Sequence, residues 1–125
     1  MAYGKNSHAE GNSTEAQGEN SHAEGSITKA IGNYSHAEGD QTEARGQNSH
    51  TEGFKTITTG DGTHSEGWEN EVYSHYAHAE GLWNVIGVKD GDPGKVGKGR
   101  GSHVEGRENQ VFADGCHVEG TLNKA

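Results

Sequence analysis

The sequence predicts an all-β solenoid in which each 14-residue coil contains two short strands. Three observations predict it: one phrase returns at a fixed period, side chains alternate over short stretches, and glycines lie seven residues apart. The phrase is Ser7-His8-Ala9-Glu10-Gly11 in its first copy. Its histidines are His8, His22, His36, His50, His64, His78, His103 and His117. They follow one another at a constant step, except that an insertion lengthens the step from His78 to His103. Internal repetition of this kind indicates stacked units.

The composition agrees with stacked units better than with a compact globule. The chain has 125 residues, enough for one domain, but only 27% of them are hydrophobic and 21 are glycine. Large aliphatic residues are too few to fill a globular core. Such a composition taken alone favours disorder, but disorder does not account for a strict period.

Side-chain alternation predicts the strands. In the first half of a unit, Ser7 and Ala9 share one face, while His8 and Glu10 share the other. The second half alternates in the same way. Alternation bounded by glycine is typical of strands, and each glycine disfavours a helix by roughly 1 kcal/mol relative to alanine. Coils that pair in parallel about 4.8 Å apart would form a rod roughly 40 Å long.

The positions on the opposite side from the histidines are small or β-branched and predict a thin interior. In the first half of the units they include Ser7, Ala9, Thr51, Ser65, Val104 and Cys116. In the second half they begin with Thr14, Thr28, Thr42 and Thr56 and continue with Asn70, Asn84, Asn109 and Asn123. We expect threonine and asparagine ladders to satisfy each other along the stack.

The two outward faces differ in how much they vary. Those of the second halves carry Glu15, Lys29, Glu43, Ile57, Glu71, Val85, Gln110 and Lys124, which predicts a solvent face. The first halves carry histidine and glutamate in all eight coils. A solvent face would vary between coils, so this face is predicted to meet something repetitive, most simply copies of itself.

The spacing Ser-x-Ala-x-Gly-x-x-Thr-x-Ala-x-Gly occurs at residues 7–18, 21–32 and 35–46. It resembles the head repeat of YadA-type trimeric autotransporter adhesins. The wording Ser-His-Ala-Glu-Gly is similar to repeats in tail-fibre and minor structural proteins of bacteriophages and prophages. The resemblance covers nearly the whole chain apart from residues 87–101. It implies a left-handed parallel β-roll, assembled as a parallel homotrimer on a virion tail or a bacterial cell surface.

The resemblance also implies which residues line the trimer interface. In the adhesin heads the two positions are usually aliphatic, whereas this sequence places a polar pair there. The implied interface consists of His8, Glu10, His22, Glu24, His36, Glu38, His50, Glu52, His64, Glu66, His78, Glu80, His103, Glu105, His117 and Glu119. A buried glutamate must be paired, and an imidazole N–H can donate to it. Three chains would supply a ring of hydrogen bonds in each layer, and such an interface would be pH-sensitive.

Metal binding and catalysis are two alternative roles for the histidines and glutamates. Three histidines on a three-fold axis can bind a metal, but eight metal layers are more than a site needs. A local site near His75 and His78 is a narrower possibility. Catalysis by a Ser-His-Glu set fails because Ser7 and His8 are adjacent in a strand and point to opposite faces. We therefore expect no catalytic residue, no cofactor and no metal.

Aromatic residues gather from residue 54 onward. Phe54, Trp68 and Leu82 occupy the same position in three successive coils and are predicted to stack along one corner. Trp83 adjoins Leu82, and two tyrosines lie nearby. One interpretation is packing around an insertion, and the other is an aromatic platform for a sugar or a surface receptor.

The insertion at residues 87–101 is glycine-rich and basic in an acidic protein. It is either a tolerated insertion or strap, or a recognition loop, since loops often carry recognition. The candidate receptor contacts from both regions are Phe54, Trp68, Tyr73, Tyr76, Trp83, Lys89, Lys95, Lys98 and Arg100.

Charge and hydropathy restrict the partners. The net charge of −9 argues against nucleic acid, which basic residues bind. No apolar run of roughly 18 residues exists to insert into a membrane, and no signal peptide is visible. Ala2 and Ala125 occupy the same repeat position, so we expect a piece of a longer fibre.

The resulting prediction is a single roll, residues 1–125, in a non-enzymatic trimeric fibre that acts as a rigid spacer and attaches to a cell-surface glycan or protein receptor. The alternatives are a stalk with no ligand and a His/Glu-striped solenoid that binds metal or cations.

Overall fold

A computed structural model describes residues 1–89 and 98–125, which form a parallel β-solenoid of about eight turns. The first sheet contains β1 (His8–Asn12), β3 (His22–Ser26), β5 (His36–Asp40), β7 (His50–Thr51), β9 (His64–Trp68), β11 (His78–Leu82), β13 (His103–Arg107) and β15 (His117–Thr121). The second sheet contains β2 (Glu15–Ala16), β4 (Lys29–Ala30), β6 (Glu43–Ala44), β8 (Ile57–Thr58), β10 (Glu71–Val72), β12 (Val85–Ile86) and β14 (Gln110–Val111). This part of the chain contains no helix long and apolar enough to cross a membrane.

The register places each residue over its equivalent one coil away. In the first sheet His8 pairs with His22, and Gly11 pairs with Gly25. The pairing of β11 with β13 restores the same register across the insertion. The predicted all-β solenoid, with two strands per 14-residue coil, is thereby confirmed.

The interior is thin and changes character along the rod. One half is filled by alanines, such as Ala30 and Ala37, and the other by larger residues, such as Val72 and Ile86. All four are fully buried. The predicted interior of small and β-branched residues is confirmed. At the two ends Ser7, Ala9 and Cys116 are only half-buried, because a terminal coil has a neighbour on one side only.

Buried asparagines form a ladder along the second half of the rod. The Asn84 side-chain amide donates to the carbonyl oxygens of Glu80, at 2.8 Å, and Gly106, at 3.0 Å. Its side-chain oxygen accepts from the backbone N–H of Asn109 at 3.0 Å. The same bonds recur at Asn70 and Asn109. The predicted asparagine ladder is confirmed, and it ties each coil to the next.

At the same position in the earlier coils, Thr42 and Thr56 bond within their own coil, whereas the buried Thr28 hydroxyl has no partner within the described residues. The Thr42 hydroxyl donates to the Glu38 carbonyl oxygen at 3.1 Å, and the Thr56 hydroxyl donates to the Glu52 oxygen at 2.9 Å. A hydroxyl is shorter than a carboxamide and does not reach the next coil from there. In the described residues the predicted ladder at this position is thus confined to the asparagines.

Substitution of Asn84 by alanine is expected to lower the free energy of unfolding by about 2–3 kcal/mol, because it leaves buried backbone groups without hydrogen-bond partners. Urea denaturation followed by circular dichroism measures the loss. Asn84→Thr is the matched control, since Thr42 keeps one such bond, to the Glu38 oxygen. The ladder's role is contradicted if the alanine variant unfolds at the wild-type urea concentration.

Each corner contains a residue in the left-handed region, two positions after the repeat glycine. The φ angles are 53° at Asn20, 57° at Ile27 and 59° at Tyr34, and such residues follow at seven-residue intervals. The sequence interpretation named only the glycines as the boundaries of the strands. Coil closure imposes this backbone even on isoleucine, for which it is unfavourable.

The insertion leaves and re-enters the roll at one corner. The Gly87 N–H donates to the Val111 oxygen at 2.8 Å, and the Gly101 N–H donates to the His75 oxygen at 3.1 Å. A Cβ built on Gly99 would lie 3.2 Å from the Gly87 nitrogen, so the two ends of the insertion adjoin. The segment 90–97 lies outside the described residues.

Candidate functional site

The eight repeat histidines and their eight glutamates line the outward face of the first sheet, and we call them the His/Glu stripe. Because the register is in phase, imidazole lies over imidazole, with ring centroids 4.7–5.1 Å apart. The rings of His36 and His50 are within 3° of parallel, and those of His64 and His78 within 2°. The stripe is therefore a regular column of aromatic nitrogen donors beside a column of carboxylates.

Hydrogen bonding within the stripe differs between its ends and its middle. At the ends, histidine Nε2 is hydrogen-bonded to the glutamate of its own coil, for example at 3.1 Å between His22 and Glu24. In five middle coils the same two atoms lie 3.3–3.6 Å apart, outside hydrogen-bond geometry. The Nε2 atoms concerned are enclosed and have no hydrogen-bond partner within the described residues: His36, His50, His64, His78 and His103. Enclosed polar atoms normally have partners, so these five point to a missing one.

Burial and like neighbours govern the charges of the stripe. Burial lowers the pKa of His50, and the facing rings of His36 and His64 lower it further. The pKa of His78 is lowered in the same way. Burial raises the pKa of Glu52, as do the carboxylates above and below it. At neutral pH the imidazoles of His50 and His78 are thus uncharged, and a row of carboxylates stands beside them.

Apolar side chains follow one corner, and we call Phe54, Trp68, Leu82 and Trp83 the aromatic edge. The rings of Phe54 and Trp68 are 4.3 Å apart, which confirms the predicted stacking of successive coils. Trp68 is 48% exposed and Trp83 42% exposed, so a large part of each side chain remains accessible to a partner. Both indole N–H groups donate to the Glu69 carboxylate, at 3.2 Å and 3.1 Å.

Glu69 was missed by the sequence interpretation. The sequence does show that Glu69 follows Trp68 directly and stands one coil before Trp83. Only the register of the coils shows that both indoles reach its carboxylate. Its carboxylate fixes the orientation of the two rings.

A groove of about 560 Å³ adjoins the aromatic edge. Its floor is the outward face of the second sheet, including Ile57 and Val85, and its wall is the corner that carries Lys55, Glu69 and Trp83. The sequence interpretation assigned that face to solvent. Its central residues are instead half-buried, because the corner side chains stand beside them.

The candidate receptor contacts form two clusters on opposite edges of the roll. Phe54, Trp68 and Trp83 lie where the chain passes from the first sheet to the second, whereas Tyr73 and Tyr76 lie where it returns. Tyr76 is 65% exposed, and the Tyr73 hydroxyl donates to Glu71.

The described basic candidates belong to the tyrosine side. Lys89, Lys98 and Arg100 are exposed where the insertion leaves and re-enters the roll, and Lys95 lies outside the described residues. Phe54, Trp68 and Trp83 therefore do not share one surface with the described basic candidates on a single chain.

No model of a known protein family matches this chain, and no curated protein sequence matches it either. The function is accordingly argued from the stripe, the aromatic edge and the groove.

Proposed function

We propose that the protein is a non-enzymatic module of a trimeric fibre, a rigid spacer that also attaches to a cell surface. In this proposal the roll is left-handed, and three parallel chains meet through their His/Glu stripes. The observation that carries it is the stripe itself: eight identical layers, five of which contain an enclosed ring nitrogen with no partner within the described residues.

A repeated polar face with unmet nitrogens matches an interface built in layers. Each layer of a parallel trimer brings three imidazoles and three carboxylates together at the same height, since each chain has the same rise. Nitrogens that find no acceptor in their own chain then find one in a neighbour. A complete network of this kind fixes the register between chains, whereas a half-complete one is costly.

The seryl groups of the repeat support a structural rather than catalytic role. Ser21 is 2% exposed, and its hydroxyl donates to the Gly18 oxygen at 2.7 Å. His22 points to the other side of the strand. The hydroxyl is thus used in closing the coil and is not presented to a base.

Attachment is supported by the aromatic edge and its groove. Two half-exposed indoles held by Glu69 offer large, oriented contact area with little mobility to lose. This is the kind of surface that a sugar ring or a protein receptor uses. The proposed location is a virion tail or a bacterial surface, with a cell-surface glycan or protein as the partner.

The double variant Trp68→Ala/Trp83→Ala is expected to reduce binding to a receptive cell surface at least about tenfold, because exposed aromatic anchors dominate such contacts. Fluorescently labelled protein, applied to a panel of bacterial strains and to a printed glycan array, provides the measurement. Light scattering of the same samples reports whether the trimer persists.

Tyr34→Ala is the matched control, since Tyr34 is an exposed aromatic in the same left-handed conformation as Trp83 but on the opposite edge. It should bind as the wild type does. Binding that survives loss of both tryptophans would contradict the role of the aromatic edge. If the wild type binds no surface at all, the stalk without a ligand is the correct function.

A further inference from the structure

Three groups of side chains in the His/Glu stripe bring nitrogen and oxygen donors close enough to share a metal ion. His36, Glu38 and His50 form the first, and His50, Glu52 and His64 form the second. Glu80, His103 and Glu105 form the third. Within each group the ligand atoms lie within 4.8 Å of one another, so small side-chain rotations bring them to bonding distance.

The imidazoles in these groups are available as ligands. The Nε2 atoms of His36, His50, His64 and His103 have no hydrogen-bond partner within the described residues. Within a single chain these nitrogens therefore give up no hydrogen bond when they bind a metal.

The carboxylates add a separate reason for a cation. They stack at the coil spacing, and the ion-pair partner of each is the histidine of its own coil, which is charged only when protonated. Glu24 lies in register with Glu38, and Glu80 with Glu105, so carboxylates of adjacent coils stand directly over one another. A divalent ion between layers relieves that repulsion.

The donor set identifies the class of ion. Calcium and magnesium prefer oxygen ligands alone. Imidazole nitrogen beside carboxylate oxygen suits zinc, nickel and related ions. Every coil of the stripe offers one imidazole and one carboxylate, which favours zinc, nickel and related ions.

We propose that each chain binds zinc-class divalent ions at two places on the His/Glu stripe. One lies among His36, Glu38, His50, Glu52 and His64, where the two groups share His50 and so hold one ion at a time. The other is formed by Glu80, His103 and Glu105. Both sites are complete within one chain, so this inference does not rest on the trimer.

Isothermal titration with zinc chloride at pH 7.5 tests the proposal on tag-free, EDTA-treated protein. A Cys116→Ser background removes the free thiol as a competing ligand. The expected stoichiometry is about two ions per chain, since each site has three protein ligands. His50→Gln should weaken zinc binding only at the first site and His103→Gln only at the second, each at least about tenfold, because each removes one of three protein ligands.

His75→Gln is the matched control, because His75 pairs with Asp61 outside the stripe. It should retain both sites. Calcium chloride is the second probe and should show at least about tenfold weaker binding than zinc. Equal binding of calcium, or unchanged zinc binding in the His50→Gln/His103→Gln double variant, overturns the proposal.

Light scattering in EDTA separates this outcome from that of the trimer. A trimer without zinc binding would leave the proposed function intact and overturn the metal sites. Zinc binding by a protein that stays monomeric would support the metal sites and contradict the trimer.

Discussion

At pH 8 the protein is expected to have a solution mass three times that of one chain, which is 13.2 kDa. The reason is the His/Glu stripe, whose enclosed ring nitrogens acquire partners when three chains meet. Multi-angle light scattering after size exclusion measures the mass, with EDTA present so that bound metal plays no part. A mass near 13.2 kDa at pH 8 would contradict the trimer.

At pH 5 the same measurement is expected to give a smaller mass. The pKa values of His50 and His78 are lowered in the folded chain. A histidine with a lowered pKa contributes stability above its ordinary pKa of about 6.5, and this is lost as the pH falls. Glu52, whose pKa is raised, acts in the opposite sense and gains stability as the pH falls towards 4.5. Two histidines oppose one glutamate, so the net effect is expected to be a loss of stability, and the trimer interface would strengthen the histidine effect by burying the rings further.

The double variant His50→Gln/His78→Gln is the control for this pH effect. Glutamine keeps a hydrogen-bonding group but does not titrate, so the variant should lose less mass between pH 8 and pH 5 than the wild type. An equal mass at both pH values for the wild type would show that the histidines do not govern assembly.

Gly39→Ala is expected to lower the free energy of unfolding by at least about 3 kcal/mol. Gly39 has φ of 107°, a conformation that only glycine adopts readily, and a Cβ there would lie 2.1 Å from the Gly53 oxygen. The clash is with the backbone of the next coil, so no side-chain movement relieves it. Thermal unfolding followed by circular dichroism measures the loss.

Gly115→Ala is the matched control. Gly115 also has a positive φ, of 67°, but a Cβ there meets nothing within 4 Å. Only the conformational cost of about 1–2 kcal/mol should remain. Equal losses in the two variants would show that close packing between coils is not what requires Gly39.

The repeat made the architecture predictable because each 14-residue unit carries its own strand pattern, and in-phase stacking is the simplest way to bury identical faces. The corner conformation was not predictable. Closing the coil imposes the same left-handed φ on Asn20, Ile27 and Trp83, which share no local preference.

The candidate site was predictable where it repeats and not where it is unique. The stripe appears in every unit, so its residues could be named from the sequence. The separation of Trp83 from Tyr76 depends on which side of a coil each corner occupies. The position of Glu69 between two indoles depends on side chains of successive coils meeting across the corner.

The in-phase register also determines which changes of length this protein tolerates. Duplication of one 14-residue unit lengthens the rod by about 4.8 Å and creates only contacts that already exist. A one-residue shift turns every interior side chain outward. The longer step between His78 and His103 keeps the phase because the two described ends of the insertion adjoin at one corner. The rod can therefore change its length only by whole 14-residue coils, while loops inserted at a corner can vary without altering the spacing between coils.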